Sequence, residues 1–265
     1  MSSIPHLVGM IHLGPLPGSP RFDGSIDKVL GLALDDAAKL SEAGFPALMV
    51  ENFGDAPFFP DSVPPETVAA LTRAVDAITM ATGLPIGVNV LRNDALSALA
   101  IAAVTGAAMI RVNVYTGVMY TDQGPIVGRA AELLRKRSGL GASTEVWADI
   151  LVKHASPPPG FDVRQSAEDT VKRGRADAVI ISGPGTGSSP DLDRLENVRE
   201  AIGPDARLVV GSGATPDNVA ELHAVADTVI VGSSTKQDGF ATNPVDTARA
   251  EEMVDAARSC GLLKG

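Results

Sequence analysis

Two short stretches near the C-terminus decide the predicted fold. The first is LVVGSG, Leu208–Gly213, and the second is VIVGSS, Val229–Ser234. Each is an apolar run of strand length that stops at a Gly-Ser pair, so that bare amide N–H groups and a hydroxyl converge where the strand ends. Loops after the seventh and eighth strands of a (β/α)₈ barrel commonly bind phosphate. We therefore predict a phosphate site formed by Gly211, Ser212, Gly213, Gly232 and Ser233.

Six further candidate strands precede these two, and helix-like segments alternate with them. The eight strands are Leu7–Ile11, Ala47–Glu51, Ile86–Val90, Met109–Asn113, Glu145–Leu151, Ala178–Ser182, Leu208–Val210 and Val229–Val231. Helices are predicted to begin near Ile26, Pro64, Asp94, Pro125, Gln165, Asp191, Pro216 and Pro244. This alternation indicates βα units and a parallel sheet. A doubly wound open sheet competes, but eight regular units with Gly-Ser on the last two favour a closed TIM barrel of the α/β class.

Length, composition and charge limit the function. The chain has 265 residues, 45% of them hydrophobic, which suits a single barrel domain of about 250 residues over positions 1–265. A formal charge of −10 disfavours nucleic acid and anionic membranes as partners, because neither attracts an acidic surface. No apolar run approaches the ~20 residues of a membrane helix. One cysteine, Cys260, fits a reducing compartment, so we expect a cytoplasmic protein. The four histidines form no metal-spaced pair, and no cofactor is evident.

Three long loops are predicted on one end of the barrel. They are residues 52–63, 114–124 and 154–164, and each follows a strand rather than a helix. They therefore lie on the face where barrel active sites are found. The first two carry aromatic residues, which favours a lid over the substrate or an interface in a homo-oligomer above a plain connection.

The two-residue period of a strand assigns polar side chains to the barrel lumen. In the fifth strand, Val146, Ala148, Ile150 and Val152 form an apolar outer row, which places Trp147, Asp149, Leu151 and Lys153 inside. The same reasoning turns Arg111, Asn113 and Tyr115 inward from the fourth strand, and Glu51 and Asn89 inward from the second and third. His12 faces the lumen or lies on the loop after the first strand.

These inward residues are the candidate catalytic and binding groups. Lys153 can act as acid, base or Schiff-base nucleophile, and Asp149 lies two strand steps away to orient or exchange its proton. Glu51 and His12 complete the catalytic candidates. We assign substrate binding to Asn89, Arg111, Asn113, Ser182 and Gly183. The alternative is a purely structural role, in which these side chains form a buried ion-pair network that fills the core.

Two further motifs complete the predicted site. Thr215 followed by Pro216 is typical of a helix N-cap with proline in the first turn, and Lys236 lies just beyond the second Gly-Ser, where it can add a charge or be solvated. Ser182–Gly187, SGPGTG, is not a dinucleotide fingerprint, because the spacing is incomplete and the wrong strand carries it. We interpret it as a flexible loop that contacts substrate.

Several motifs together resemble the BtpA/SgcQ family. They are Met10–Pro20, Glu51–Asp55, Gly87–Asp94, Ala148–Ala155, Ile181–Gly187 and Gly211–Pro216. The resemblance spans nearly the whole chain and implies a TIM barrel of the ribulose-phosphate-binding type. It implies two different functions: biogenesis of photosystem I in cyanobacteria, and nucleosidase activity in other members. It supplies no catalytic residue set, so the assignments above depend on strand parity.

The sequence leaves three functions open. The first is an enzyme on a phosphorylated pentose or nucleotide that breaks or makes a ribosyl C–N bond, with Glu51 or Asp149 at the sugar carbon and Lys153 supplying the proton. The second is a lyase or aldolase that acts on a sugar phosphate through a Schiff base or acid–base chemistry at Lys153. The third is a non-catalytic assembly factor for a membrane protein complex.

Overall fold

The computed structural model describes residues 5–183 and 191–263 and contains a closed barrel of eight parallel strands. The barrel strands are β1 (Leu7–His12), β2 (Leu48–Glu51), β3 (Ile86–Asn89), β4 (Met109–Val112), β7 (Glu145–Leu151), β9 (Ala178–Ile181), β10 (Arg207–Val210) and β11 (Thr228–Val231). The helices are α1 (Ile26–Ala43), α2 (Pro65–Thr82), α3 (Ala95–Thr105), α4 (Ala130–Gly139), α5 (Val163–Glu168), α6 (Leu192–Ile202), α7 (Val219–His223) and α8 (Thr247–Ser259). The TIM-barrel prediction is confirmed. Each observed strand end coincides with the predicted one or differs from it by one residue.

Each barrel strand pairs with the barrel strand that follows it along the chain, and β11 closes on β1. All carboxyl ends of the strands therefore meet at one end of the barrel. In this ring of eight, β3 and β10 are four strands apart in either direction and lie on opposite sides. None of the helices in the described ranges combines the length and hydropathy that a bilayer crossing demands.

The hydrophobic core has two layers because strand side chains alternate between the lumen and the helices. The lumen layer contains Val8, Met10, Ala47, Met49, Met109, Trp147, Ala178, Ile180, Val209 and Ile230. A larger layer between strands and helices contains Ile110, Val146, Ala148 and Ile150. This confirms the predicted outer row over residues 146–150 and the inward side chain of Trp147.

One predicted helix start is wrong. Pro125 lies in a strand, β6 (Gly124–Val127), which pairs antiparallel with β5 (Val118–Thr121). β5 also pairs with β8 (Ala155–Ser156), so the second and third long loops meet in a three-stranded sheet outside the barrel. A proline is tolerated in β6 because β6 is an edge strand of that sheet. Helix α4 begins five residues later than predicted, at Ala130.

The predicted helix cap at Thr215 is also wrong. Helix α7 begins at Val219, and the residues before it form a turn held by Asn218. The Asn218 side chain accepts from the Thr215 N–H at 2.8 Å and donates to the Gly213 carbonyl at 2.9 Å. An Asn side chain that bonds both backbone groups competes with a Thr cap, and it braces the loop after β10.

Candidate active site at the carboxyl ends of the strands

A cleft at the carboxyl ends of the strands collects most of the predicted site residues. Its empty space is about 440 Å³, open solvent at the mouth included. It is lined by Met10, His12, Glu51, Phe53, Arg111, Lys153, Gly211, Ser212, Gly213, Ala214, Gly232 and Ser233. Three of the four predicted catalytic residues and all five predicted phosphate-binding residues therefore share one cavity, with Arg111 at its floor. We call this cavity the mouth cleft.

Under the mouth cleft lies a buried ion pair between neighbouring strands. Arg111 on β4 donates to both carboxylate oxygens of Asp149 on β7, from Nε at 2.8 Å and from Nη2 at 2.9 Å. The Arg111 side chain is 4% exposed and that of Asp149 is fully buried. Burial acts to lower the pKa of Arg111, but Asp149 and Glu51 outweigh it and raise the pKa. The guanidinium therefore stays charged and bound to Asp149.

The predicted substrate amides and Ser182 belong to this network. Asn113 donates to Asp149 Oδ2 at 3.2 Å, and Asn89 donates to Asn113 Oδ1 at 3.1 Å. Arg111 Nη2 donates to the Ser182 hydroxyl at 3.2 Å, and that hydroxyl contacts Asp149 Oδ1 at 3.3 Å. Asn89 Oδ1 is buried, and no described residue forms a hydrogen bond with it. These side chains are brought together beneath the cleft, and their role in substrate binding stays a prediction.

Lys153 does not pair with Asp149. The Asp149 carboxylate is bound to Arg111, and among the described residues no carboxylate oxygen lies within 4 Å of Lys153 Nζ. Burial lowers the pKa of Lys153, and the positive charges of Arg111 and Arg92 lower it further, against an opposing effect of Glu51 and Asp149. The amine is thus held in a partly dry cleft where its neutral form costs less than it does in water.

A register shift in β7 explains why strand parity fails beyond Asp149. The pairing of β7 with β9 is irregular between Asp149 and Leu151. Leu151, predicted inside the lumen, packs instead against the small sheet with Met119 and Ile126. A bulge re-aims the residues after it, and Lys153 reaches the mouth cleft from the turn after the strand. Tyr115, also predicted inward, packs in the helix layer and donates to the Gly174 carbonyl.

His12 ends β1 beside Glu51, which ends β2. Their nearest side-chain atoms, Nε2 and Oε1, are 3.9 Å apart. Burial, Lys236 and Lys153 lower the pKa of His12 to about 3, so the ring is neutral and the contact is not an ion pair. His12 Nδ1 lies 3.0 Å from the Ala241 carbonyl, which can only accept. The proton therefore sits on Nδ1, and Nε2 offers a lone pair to the cleft.

The pKa of the Glu51 carboxyl is raised, whereas that of His12 is lowered. Burial raises the pKa of Glu51, while Arg111, Lys153 and Arg92 oppose the shift. A carboxyl with a raised pKa exchanges protons closer to neutral pH than an exposed one does. Glu51 and Lys153 thus both line the cleft with shifted pKa values, and the catalytic roles predicted for them and for Asp149 stay predictions.

Glycine is required at the end of β10. A Cβ on Gly211 would lie 2.5 Å from Ile180 Cγ2 and 2.5 Å from Ser182 Oγ, and Gly213 has a φ of 78°. The backbone can therefore approach the cleft closely. Ser212 Oγ and Ser234 Oγ are buried and have no hydrogen-bond partner among the described residues, and a 3₁₀ turn, Ser233–Thr235, starts after Gly232. Unpaired hydroxyls, bare amides and a short helix after the last strand are the usual parts of a barrel phosphate site.

Lys236 is neither solvated nor part of the lining of the mouth cleft. It is fully buried, and its Nζ lies 2.5 Å from Asp36 Oδ2 on α1. The other Asp36 oxygen accepts from the Val245 N–H at 2.6 Å. Burial lowers the pKa of Lys236, and Asp36 opposes that shift. This pair anchors the loop after β11 to α1, and Lys236 acts on the cleft only through its charge, which lowers the pKa of His12.

Gly183 and Arg92 depart from the predicted site. Gly183 is buried and does not line the mouth cleft, and residues 184–190 of the SGPGTG loop lie outside the described residues. Arg92, which the sequence reasoning missed as a site residue, follows β3 and donates to the Lys153 carbonyl. The signal for it was present, since a charged residue just past a barrel strand points toward substrate.

The described residues contain no cluster of three or more His, Cys, Asp or Glu side chains that could hold a metal ion.

Comparison with solved structures shows that the chain shares its barrel fold with enzymes of known structure. The chain is similar to orotidine 5′-phosphate decarboxylase from Pyrococcus horikoshii, with a TM-score of 0.58, 15% identity, and coverage of 95% of this chain and 99% of that one. It is also similar to phosphoribosyl anthranilate isomerase from Thermus thermophilus, with a TM-score of 0.59, 13% identity, and coverage of 96% and 98%. Identities this low establish the fold alone.

Sequence relatives are far closer. A protein of Methanocaldococcus jannaschii is 45% identical over 95% of this chain and 94% of its own length. The photosystem I biogenesis protein BtpA of Synechocystis is 44% identical over 94% of this chain and 87% of its own length. The sgc region protein SgcQ of Escherichia coli is 31% identical over 94% and 92%. The BtpA family matches residues 4–259, and the chain belongs to that family.

Proposed function

We propose that this protein is an enzyme acting on a phosphorylated sugar in the mouth cleft, with Lys153 as the reacting amine. The single observation that carries the proposal is the state of Lys153. It lines the cleft, its pKa is lowered mainly by burial, and its Nζ has no carboxylate within 4 Å among the described residues. A lysine nucleophile needs such a desolvated setting, because only the neutral amine attacks a carbonyl.

The opposite wall of the cleft supports a phosphorylated substrate. The amides at Gly211–Gly213, the unpaired Ser212 hydroxyl and the turn after Gly232 suit an anion. A phosphate held there would leave the sugar carbons above Arg111, between Lys153 and the His12–Glu51 side. Binding energy from the phosphate would then position the reacting carbon.

The charges around the cleft favour carbonyl chemistry over an oxocarbenium ion. Arg92, Arg111 and Lys153 lie around Glu51 and each lowers its pKa. A positive sugar carbon would be repelled by such groups, whereas an electron pair that develops next to a carbonyl or iminium would be stabilised. The Schiff-base alternative is therefore better supported than the nucleosidase reaction.

A balanced reaction can be written for an aldol-type lyase. The neutral Lys153 amine adds to a substrate carbonyl. The Glu51 carboxyl protonates the resulting hydroxyl, which leaves as water and gives an iminium, with Glu51 now a carboxylate. The neighbouring C–C bond then breaks, its electron pair enters the iminium, and the Glu51 carboxylate takes the proton of the hydroxyl on the departing carbon. An aldehyde leaves and an enamine remains. Glu51 returns the proton to the enamine carbon, and water hydrolyses the iminium to ketone and free amine, while the proton that this releases goes back to Glu51.

Ribosyl C–N cleavage remains the second candidate, and the raised pKa of Glu51 favours it, since an acid must protonate the departing base. The assembly role carried by the name of the Synechocystis relative is the third. That role leaves a desolvated, unpaired Lys153 without a purpose.

Borohydride trapping tests the proposal. The protein is incubated with a panel of ketose phosphates and sodium borohydride, and the adduct is located by peptide mass spectrometry. We expect an adduct at Lys153 that is lost in Lys153→Met and kept in Lys172→Met, a matched control on an exposed lysine paired with Glu168. Release of free base from nucleotides without an adduct would favour the nucleosidase. Ligand binding with neither product would overturn both enzymatic candidates.

A further inference from the structure

Arg92 is a buried cation for which the described residues supply no carboxylate partner. The buried lysine and arginine residues in the described ranges are Arg92, Arg111 and Lys236. Arg111 is paired with Asp149 and Lys236 with Asp36. Arg92, 7% exposed, has no carboxylate within 4 Å in the described part of the chain. Charged side chains are rarely buried in this way unless something compensates them.

The protein contacts of Arg92 use little of its donor capacity. Its Nη2 donates to the Lys153 carbonyl at 2.5 Å, and its backbone N–H donates to the Phe59 carbonyl at 3.0 Å. A guanidinium carries five N–H donors, and one carbonyl bond does not offset the cost of desolvating its charge. A purely structural role, holding the turn after β7, would be filled as well by a neutral donor.

The guanidinium also acts on the groups of the mouth cleft. Its charge lowers the pKa of Lys153, of Glu51 and of the neighbouring His154. Arg92 thus places a positive charge beside the Lys153 amine at one side of the cleft. Asp149 does not neutralise that charge, because it is bound to Arg111.

Arg92 and the predicted phosphate site lie on opposite sides of the barrel. Arg92 follows β3, and Gly211–Gly213 follow β10, and these two strands lie opposite each other in the ring of eight. A ligand with its phosphate on the amides after β10 would extend across the cleft toward Arg92. Lys153, after β7, lies between them on one side of the ring.

We infer that Arg92 binds a second anionic group of the substrate, a carboxylate or a second phosphate, at the side of the cleft opposite Gly211–Gly213. This inference rests on the proposed function, and it narrows the substrate class to sugar phosphates with an anion at each end. The fork of an arginine matches two oxygens of either group. Two anchored ends would hold the carbons between them next to the Lys153 amine.

Binding of three probes by isothermal titration calorimetry tests the inference. The probes are ribose 5-phosphate, with one anionic end, ribulose 1,5-bisphosphate, with two phosphates, and 6-phosphogluconate, with a phosphate and a carboxylate. We expect the wild type to bind at least one two-ended probe about 10- to 100-fold more tightly than ribose 5-phosphate. Which probe is preferred distinguishes phosphate from carboxylate.

The variants assign the preference to Arg92. Arg92→Met should bring the Kd of the preferred probe to within about threefold of that of ribose 5-phosphate, and leave the Kd of ribose 5-phosphate nearly unchanged. Arg92→Lys keeps the charge without the fork and should retain part of the preference, which also covers the case that Arg92→Met fails to fold. Arg21→Met is the matched control, since Arg21 is exposed and also donates to a single carbonyl, that of Gly54.

Two binding results would contradict the inference in different ways. If ribose 5-phosphate binds as tightly as both two-ended probes, or if the preference survives in Arg92→Met, the second anion site is wrong while the proposed phosphate site stands. If no probe binds, the phosphate site of the proposed function is wrong and the inference fails with it.

Discussion

Arg111 and Asp149 hold each other across neighbouring strands of the barrel, with two hydrogen bonds of 2.8 and 2.9 Å under the floor of the mouth cleft. Arg111 also reaches across the lumen to the Gly211 carbonyl at 3.4 Å and to Ser182. One guanidinium thus links β4 and β7 with the end of β10. The ion pair with Arg111 keeps Asp149 from pairing with Lys153. The Lys153 amine is left with a pKa that burial lowers.

Removing the charge of Asp149 should destabilise the fold strongly. In Asp149→Asn the buried Arg111 loses its counter-charge, and we expect the free energy of unfolding in urea to fall by about 3–5 kcal/mol. Glu132→Gln, which breaks the exposed Arg129–Glu132 pair, is the control and should cost about 1 kcal/mol or less. A loss of that smaller size in Asp149→Asn would show that the network does not depend on the ion pair.

His12 should make stability depend on pH. Its pKa is about 3 in the folded protein against an ordinary 6.5, so between these values the unfolded chain binds more protons than the folded one. The free energy of unfolding should therefore rise with pH across this window, by up to about 1.4 kcal/mol per pH unit from this group, and level off above pH 6.5. His12→Asn keeps a donor for Ala241 and should flatten the slope measured by urea unfolding at pH 4, 5 and 6. An unchanged slope would mean that His12 titrates normally in the fold.

An anion should bind between the loops after β10 and β11. Millimolar phosphate or ribose 5-phosphate should raise the melting temperature by about 2–4 °C for each kcal/mol of binding free energy. Gly213→Asp and Ser233→Asp put a like charge into the site and should abolish the rise. Ser143→Asp is the control, because Ser143 is exposed and precedes β7 at the other end of the barrel. Equal shifts in all variants would place the anion elsewhere.

The long loops should respond to ligand. Phe59 is 56% exposed on the first loop and Tyr120 is 50% exposed on β5. If these loops close over substrate, chymotrypsin should cut them more slowly once a ligand is bound. Leu140 is 50% exposed at the end of α4, so chymotrypsin cleavage there can report whether the ligand affects the protease itself. Cutting rates that ignore a confirmed ligand would favour an interface between copies.

The fold was predictable because its signals are local. Eight apolar runs alternate with helical segments, and a two-residue period is enough to turn Arg111, Asn113 and Asp149 to one side of their strands. Gly-Ser at the last two strand ends likewise predicts where bare amides meet. The false helix start at Pro125 and the false cap at Thr215 arose where a local motif has two outcomes. The edge of a sheet accepts that proline, and Asn218 replaces the threonine.

What only the tertiary structure decided is which charges meet. Strand parity puts Asp149 and Lys153 on the same face, but the register of closed strands gives Asp149 to Arg111, and the irregularity after Asp149 sends Leu151 to the small sheet. Lys236, 200 residues from Asp36 in sequence, is buried against it because α1 passes beside the loop after β11. Pairings of this kind depend on distances between segments far apart in the chain. The sequence alone therefore determined the barrel fold and the candidate phosphate site. The closure of the barrel determined which charges pair, and among the described residues it leaves Lys153 and Arg92 without carboxylate partners.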